Sequence, residues 1–329
     1  MTDVSVETPL DRLTTYITPN DAFFVRHHWP AAAPDPGDWA LVVDGEVSRP
    51  LRLSLGDLKN LPSSSVTCVL ECSGNGRSFY RPPTPGLPWG PGAVGNARWT
   101  GARVRDLLAT AGAKAGAKHL HAAGTDDPSN GTPPFHRSLE LEKALEDAVA
   151  AWEMNGEPLP ALHGGPARLV VPGWAGNNWM KWLAKLSPRS EPAKGFFMDE
   201  EYCFPTPAGM RPITQLPVKS IITEAPSRAR LESPVTVRGV AYSGAPDVSK
   251  VEVTDDGGET WRAAELGHEH DPYAWRLWSF QYAPEGAGKV TLHARATDSR
   301  GSVQPREAVW NPGGFLYNGW HSVEIEVTR

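Results

Sequence analysis

Cys72 is the residue of this chain best placed to do chemistry. It lies in the run V-T-C-V-L-E-C-S-G-N-G-R of residues 66–77. A cysteine among apolar neighbours is normally an inert, buried hydrophobe. This one stands between Glu71 and Ser73, with Asn75 and Arg77 close behind, and reactive or metal-binding thiols are found in polar settings of that kind. A thiolate is a soft ligand, suited to a transition metal rather than a hard cation. Cys68 lies four residues earlier, about 13 Å along a regular strand, so it is assigned to the core. Arg26, His27 and His28 form a second cluster. Neighbours on a strand point to opposite faces, so the two histidines do not readily bind one ion. Taken alone, the cluster fits equally well a strand end carrying solvated side chains. The third concentration is residues 152–186, where His163, Arg168 and Lys181 stand among glycines and tryptophans; by itself His163 reads as a loop histidine.

These residues need rigid elements to aim them. Residues 66–71 alternate and are rich in β-branched types, with apolar groups on both faces, which predicts a buried strand. Ser73-Gly74-Asn75-Gly76 is turn chemistry, so Cys72 is expected where a strand meets a tight loop. Phe23-Phe24-Val25 predicts a short strand after the Pro19-Asn20 turn. W-A-L-V-V-D-G predicts another strand, and Ser54 caps a short helix containing Leu58 and Leu61. Residues 81–98 read as a Pro/Gly-rich loop. A helix is expected through Val104, Leu107 and Leu108 to Gly112, a strand over His119–Ala123, and a helix around Ser138–Leu145. From about Pro217, short alternating runs separated by D-D-G-G-E-T and E-G-A-G-K predict an antiparallel β-sandwich of immunoglobulin-like size.

At 329 residues the chain exceeds one ordinary core. The 32 Gly and 32 Pro argue against a helical bundle, and a net charge of −6 gives no reason to expect nucleic acid or an acidic membrane surface. Three cysteines argue against a disulfide scaffold. The first ten residues have no basic start or apolar run, and no membrane span is seen, so the chain as written reads as cytoplasmic. A trimmed sequence would read the same, which leaves a periplasmic location open.

L-E-C-S-G-N-G-R resembles the cysteine loop of the sulfite oxidase family, the molybdenum-cofactor enzymes that also include assimilatory nitrate reductases. I-T-P-N-x-x-F-F-V-R-x-H, A-R-W-x-G, E-M-N-G-x-P-L-P-x-x-H-G-x-P-x-R-x-V-V-P-G, M-K-W-L, D-G-G-x-T-W and A-W-R-L-W are similar to the family's further motifs, in the family's order, over roughly residues 14–329. The resemblance implies an α+β protein: a mixed α/β molybdopterin-binding catalytic domain over 1–215, then an immunoglobulin-like dimerisation domain over 216–329. It implies molybdenum and molybdopterin as cofactors, with Cys72 the only protein ligand of the metal. It makes Arg26 the residue that holds a substrate oxyanion, as a guanidinium fork can, and Arg276 a candidate for the same pocket. Arg276 also reads as a cation stacked on Trp275 or Trp278. His28, Asp126, His163, Arg168 and Lys181 inherit pterin and phosphate contacts, and Phe24, Arg26, Cys72, Trp179 and Met180 are counted with them as cofactor-binding. The loop holding Asp126 is one residue shorter than the family's, so Asp127 is the alternative.

Four departures bear on the substrate. Gly76 replaces an arginine often seen in the cysteine loop, and Asn177-Asn178 stand where a basic residue usually precedes M-K-W. His27 replaces an asparagine. Ala193 takes the place of the tyrosine that reaches the active site of sulfite-oxidising members, with Tyr202 a nearby candidate to stand in. The implied activity is oxidation of a small, sulfite-like anion, with electrons leaving to a separate acceptor such as a cytochrome c. A homodimer without nucleic-acid or membrane partners is expected. A sulfane or thiosulfate-type dehydrogenase and a nitrate reductase-like enzyme are the rival enzymes. A non-catalytic protein that kept the fold is the rival from another class.

Overall fold

The computed structural model describes residues 5–29, 33–126, 131, 133–207 and 209–329. The chain divides into two compact units, each assembled from discontinuous segments. The first comprises Met1–Val6, Phe24–Val66 and Ala97–Thr214, and the second Glu7–Phe23, Thr67–Asn96 and Gln215–Arg329. Among the described residues no helix is long and apolar enough to cross a membrane.

In the first unit, β1 (Ala40–Val43) and β2 (Leu51–Ser54) form an antiparallel pair, Ala40 opposite Ser54. β1 buries Leu41 and Val43 completely, as its alternation requires. Ser54 caps α1 (Leu55–Lys59): Asp57 N donates to Ser54 Oγ at 3.1 Å, and Ser54 N donates to Asp57 Oδ2 at 2.9 Å. This reciprocal pair satisfies two otherwise orphaned donors. β3 (Ser63–Glu71) and β4 (Val94–Arg103) each run from one unit's residues into the other's. Next, α2 (Val104–Ala111) buries Val104, Leu107, Leu108 and Ala111, then stops at Gly112, whose φ of 66° is left-handed.

The remaining elements of this unit are β5 (His119–Gly124), β6 (His136–Glu140), α3 (Leu141–Asp147), β7 (Val149–Met154), β8 (Glu157–Pro158), β9 (Arg168–Val170), β10 (Leu183–Arg189), α4 (Phe196–Asp199), β11 (Cys203–Thr206) and β12 (Gly209–Pro212). One sheet has the order β2-β1-β10-β5-β6, parallel only at β1–β10. A second has the order β3-β4-β7-β8, with β9 also on β7.

Three local expectations are corrected. Ser138–Glu140 is strand rather than helix, because Arg137, Ser138 and Leu139 are buried where β6 pairs with β5; tertiary pairing overrides a weak local preference. Residues 94–97 are buried strand rather than loop, a stretch disguised by its Gly and Asn. Phe23–Val25 makes one bridge, Val6 to Val25, instead of a strand.

The second unit contains β13 (Lys219–Glu224), β14 (Arg228–Arg230), β15 (Val235–Tyr242), β16 (Val248–Thr254), β17 (Arg262–Ala263), β18 (Glu265–Leu266), β19 (Arg276–Tyr282), β20 (Gly288–Asp298) and β21 (His321–Thr328). They form sheets of order β13-β15-β19-β18 and β14-β21-β20-β16-β17. Every pair is antiparallel except β14–β21. Val237, Trp278 and Phe280 of one sheet share a core with Val251, Leu292 and Ile325 of the other. That is the immunoglobulin-like sandwich expected from the alternating runs.

Candidate functional site

Cys72 follows β3 directly and belongs to the second unit. Its N–H donates to Ala93 O at 2.9 Å, and its carbonyl accepts from Asn75 N at 2.9 Å. Ser73 O accepts from Leu316 N at 2.7 Å. Between Cys68 and Gly76, Cys72 alone is not buried. The loop is packed and Cys72 is only partly buried, which is a setting that lets a rigid element aim a side chain.

Glu71 fixes this loop from behind. Its Oε1 accepts from Asn75 Nδ2 at 2.8 Å, from Tyr242 OH at 2.8 Å, and from Lys219 Nζ in a buried ion pair. The Tyr242 phenol is pushed well up, first by burial and then by the Glu71 charge, so it stays a protonated donor. Asn75 Oδ1 accepts from Ala93 N at 3.0 Å, tying the network to the residue whose carbonyl accepts from Cys72 N. Gly76 has φ 80°, and a Cβ there would lie 2.9 Å from Tyr317 Cδ1. Gly76 therefore occupies a left-handed turn with Tyr317 packed against it. Arg77 is spent on the loop as well: its Nε donates to Gly313 O at 3.2 Å and its Nη1 to Leu87 O at 3.1 Å, beside the Phe315 ring.

Arg276, also in this unit, begins β19. Its Nη2 donates to Gly267 O at 2.8 Å, and Nη1 lies 3.4 Å from Asp247 Oδ1. Asp247 also faces His270 Nε2 at 3.1 Å.

The other singled-out residues lie in the first unit. Arg26 and His28 are partly exposed while His27 is buried, the alternation foreseen for neighbours in extended chain. His27 Nε2 sits 2.9 Å from Leu162 O, and its ring meets the edge of Trp182. Lys181 Nζ donates to that same carbonyl at 2.8 Å. His28 stacks on Phe135 and places Nε2 2.8 Å from Tyr202 OH. Burial, then the charges of Arg26 and Lys181, push its pKa down to about 3, so the imidazole is neutral. Asp126 is pushed up to about 6 by burial, against the pull of Lys181; Asp127 lies outside the described residues.

Two glycines shape this region. A Cβ on Gly124 would lie 2.5 Å from Lys181 O and 2.6 Å from Asp126 Oδ1. Gly164, at φ 103°, packs where a Cβ would meet Lys181 Cβ at 2.9 Å. Arg168 opens β9, is buried, and donates through Nη1 to His163 O at 2.7 Å. Its guanidinium lies 5.1 Å from the Trp99 ring and 5.5 Å from that of Trp179. Phe24, His163, Trp179 and Met180 are buried as well.

The sequence pattern did not single out Arg137 as a site residue. It is buried and donates to the carbonyls of Phe197 and Ile213 and, at 3.2 Å, to Asn178 Oδ1. Nor did any local signal reveal the Tyr202–His28 bond, which joins residues 174 positions apart. Ala193 is buried, its N–H donating to Ser138 Oγ at 3.0 Å.

The donor set suits a phosphate-bearing pterin. Arg26, Lys181 and Arg168 supply positive charge, neutral His28 and Asp126 supply hydrogen-bonding atoms, and Gly124 and Gly164 bring backbone close. Among the described residues no three His, Cys, Asp or Glu side chains converge to hold a metal unaided.

Residues 27–197 match the family described as the oxidoreductase molybdopterin binding domain, and residues 210–328 match the Mo-co oxidoreductase dimerisation domain. The mitochondrial sulfite oxidase of Homo sapiens is 38% identical across 98% of this chain, which spans 64% of that relative's length. The sulfite oxidase of Arabidopsis thaliana is 32% identical over 96% of this chain and 89% of its own.

The chain belongs to the sulfite oxidase family.

Among solved structures, the sulfane dehydrogenase SoxCD from Paracoccus pantotrophus superposes with a TM-score of 0.88 at 30% identity, covering 99% of this chain and 86% of that one. As a family member, the chain carries the molybdopterin-binding oxidoreductase domain and the dimerisation domain, and its cofactor is Mo-molybdopterin.

Proposed function

We propose that this protein is a molybdenum-dependent oxidoreductase that oxidises sulfite or a related sulfur oxyanion and passes electrons to a separate acceptor such as a cytochrome c. The observation that carries this reading is Cys72, partly exposed on an otherwise buried, tightly bonded loop. When bound, the cofactor supplies oxygen-atom transfer and two-electron redox chemistry. In this reading Cys72 binds the metal. Arg26 orients the anionic substrate, with Arg276 the second candidate for that work. Lys181, Arg168 and His163 hold the pterin and its phosphate, while His28 and Asp126 contact the pterin ring. Phe24, Trp179 and Met180 are further cofactor-binding candidates. The protein's contribution is charge and positioning. The dimerisation domain supports a homodimer, which would run at twice the chain mass of 35.7 kDa in light scattering.

A sulfane or thiosulfate-type dehydrogenase is the second reading. It is supported by Ala193 in place of the tyrosine, by the engagement of Tyr202 with His28, and by the likeness to the sulfane dehydrogenase. Elemental and pterin analysis of the wild type, followed by assays of sulfite, thiosulfate and nitrate with artificial electron carriers, tests both readings. Stoichiometric molybdenum and turnover of a sulfur substrate are expected, with turnover abolished in Cys72→Ser. Wild-type protein lacking molybdenum and pterin, or Cys72→Ser with full turnover, would refute the assignment.

A further inference from the structure

We propose that Tyr202 is a positioning residue for His28: its hydroxyl donates to Nε2, holds the imidazole proton on Nδ1, and so presents Nδ1–H as the donor offered to the pterin. This inference rests on the proposed cofactor reading and adds the atom through which His28 acts.

The geometry comes first. Tyr202 OH lies 2.8 Å from His28 Nε2, the length of a good O–H···N bond. A phenol against a neutral imidazole can be arranged in two ways. The phenol O–H is the stronger donor and the bare imidazole nitrogen the stronger acceptor, so the hydroxyl donates and the ring proton goes to the other nitrogen. Burial first, and then the charges of Arg26, Lys181 and His27, keep His28 neutral, which makes the choice of tautomer matter.

The ring is also held in one orientation. It stacks on Phe135 at 4.8 Å between centroids, with Phe197 at 5.2 Å and Trp29 at 5.5 Å. Tyr202 in turn is buried and left-handed at φ 55°. An aromatic residue rarely adopts that conformation unless its surroundings enforce it, and such strain is concentrated at functional sites. The Tyr202 carbonyl accepts from Ile213 N at 2.8 Å, fixing the backbone that delivers the phenol. Tyr202→Phe would remove one oxygen and keep the ring packing.

The test uses the full chain. Imidazole nitrogen NMR on protein produced without pterin, assigned with a His28→Ala control, reads the tautomer directly. Wild type should show the proton on Nδ1, and Tyr202→Phe should shift His28 to the Nε2–H form or to a mixture. Protein made in a pterin-producing host should retain pterin about 10-fold less well through dialysis in Tyr202→Phe, the size of one lost hydrogen bond. A wild-type proton on Nε2, or an imidazole spectrum unchanged in Tyr202→Phe, overturns the inference while leaving the cofactor reading intact. Wild-type protein that never binds pterin overturns the cofactor reading, and with it the use assigned to Nδ1. The wild-type tautomer is read without any variant, so the test does not depend on how Tyr202→Phe folds.

Discussion

Glu71 accepts three buried hydrogen bonds on one oxygen while its second oxygen has no partner among the described residues. Lys219 faces it from a position almost fully removed from water. Breaking a buried ion pair from one side leaves an uncompensated charge, so Glu71→Gln is expected to lower stability by about 3–5 kcal/mol in chemical denaturation. Glu71→Gln combined with Lys219→Met should recover much of that loss. His28 and Asp126 make a second residue-scale prediction, because their linkages to pH have opposite signs. Asp126 is raised from 3.8 to about 6, so its contribution is present at low pH and is lost as pH rises through about 6. His28 is lowered from 6.5 to about 3, so its contribution is present above 6.5 and is lost as pH falls toward 3. Between about pH 4 and 6 the two slopes oppose each other. In cofactor-free protein, Asp126→Asn should therefore steepen the loss of stability on acidification by at most about 1.4 kcal/mol per pH unit. His28→Gln should change the slope in the other sense, and denaturant midpoints at several pH values measure both.

Among the elements, the turn after His163 carries a double constraint near Lys181. Gly164 combines φ 103° with a Lys181 Cβ only 2.9 Å from where its own Cβ would be. Gly164→Ala is expected to cost about 1–3 kcal/mol and to reduce pterin content, read by fluorescence of the released, oxidised pterin. A variant with both unchanged would show that the turn relaxes freely. This is also the scale at which the sequence was most legible. The junction of β3 with the Cys72 loop, the Ser54 cap and the Gly112 stop are local signals, and each was read from a few adjacent residues. The start of β6 was misread because Arg137, Ser138 and Leu139 carry no strand signature. Their conformation follows from pairing with β5. Lys219–Glu71 and Tyr202–His28 were invisible for the same reason: the partners lie 148 and 174 residues apart, and nothing local marks either pairing.

For the molecule as a whole, the division of the chain into units has a practical consequence. The Cys72 segment, residues 67–96, packs with the C-terminal third of the chain. Tyr242, Lys219 and Leu316 all bond within a few residues of Cys72. A protein cut at 215/216 would lose each of these contacts while keeping the whole molybdopterin-binding stretch. The fragment 1–215 is expected to hold no molybdenum and to expose Cys72 to rapid labelling by thiol reagents, whereas the intact chain holds the metal. Metal analysis and labelling rates on both forms decide this.

Arg137 puts a buried positive charge beside Asn178. The guanidinium arrives from β6, 41 residues upstream, and donates to Asn178 Oδ1 at 3.2 Å. The charge next to residues 177–178 is therefore set by a side chain outside their own stretch of sequence, and a reading confined to that stretch would miss it.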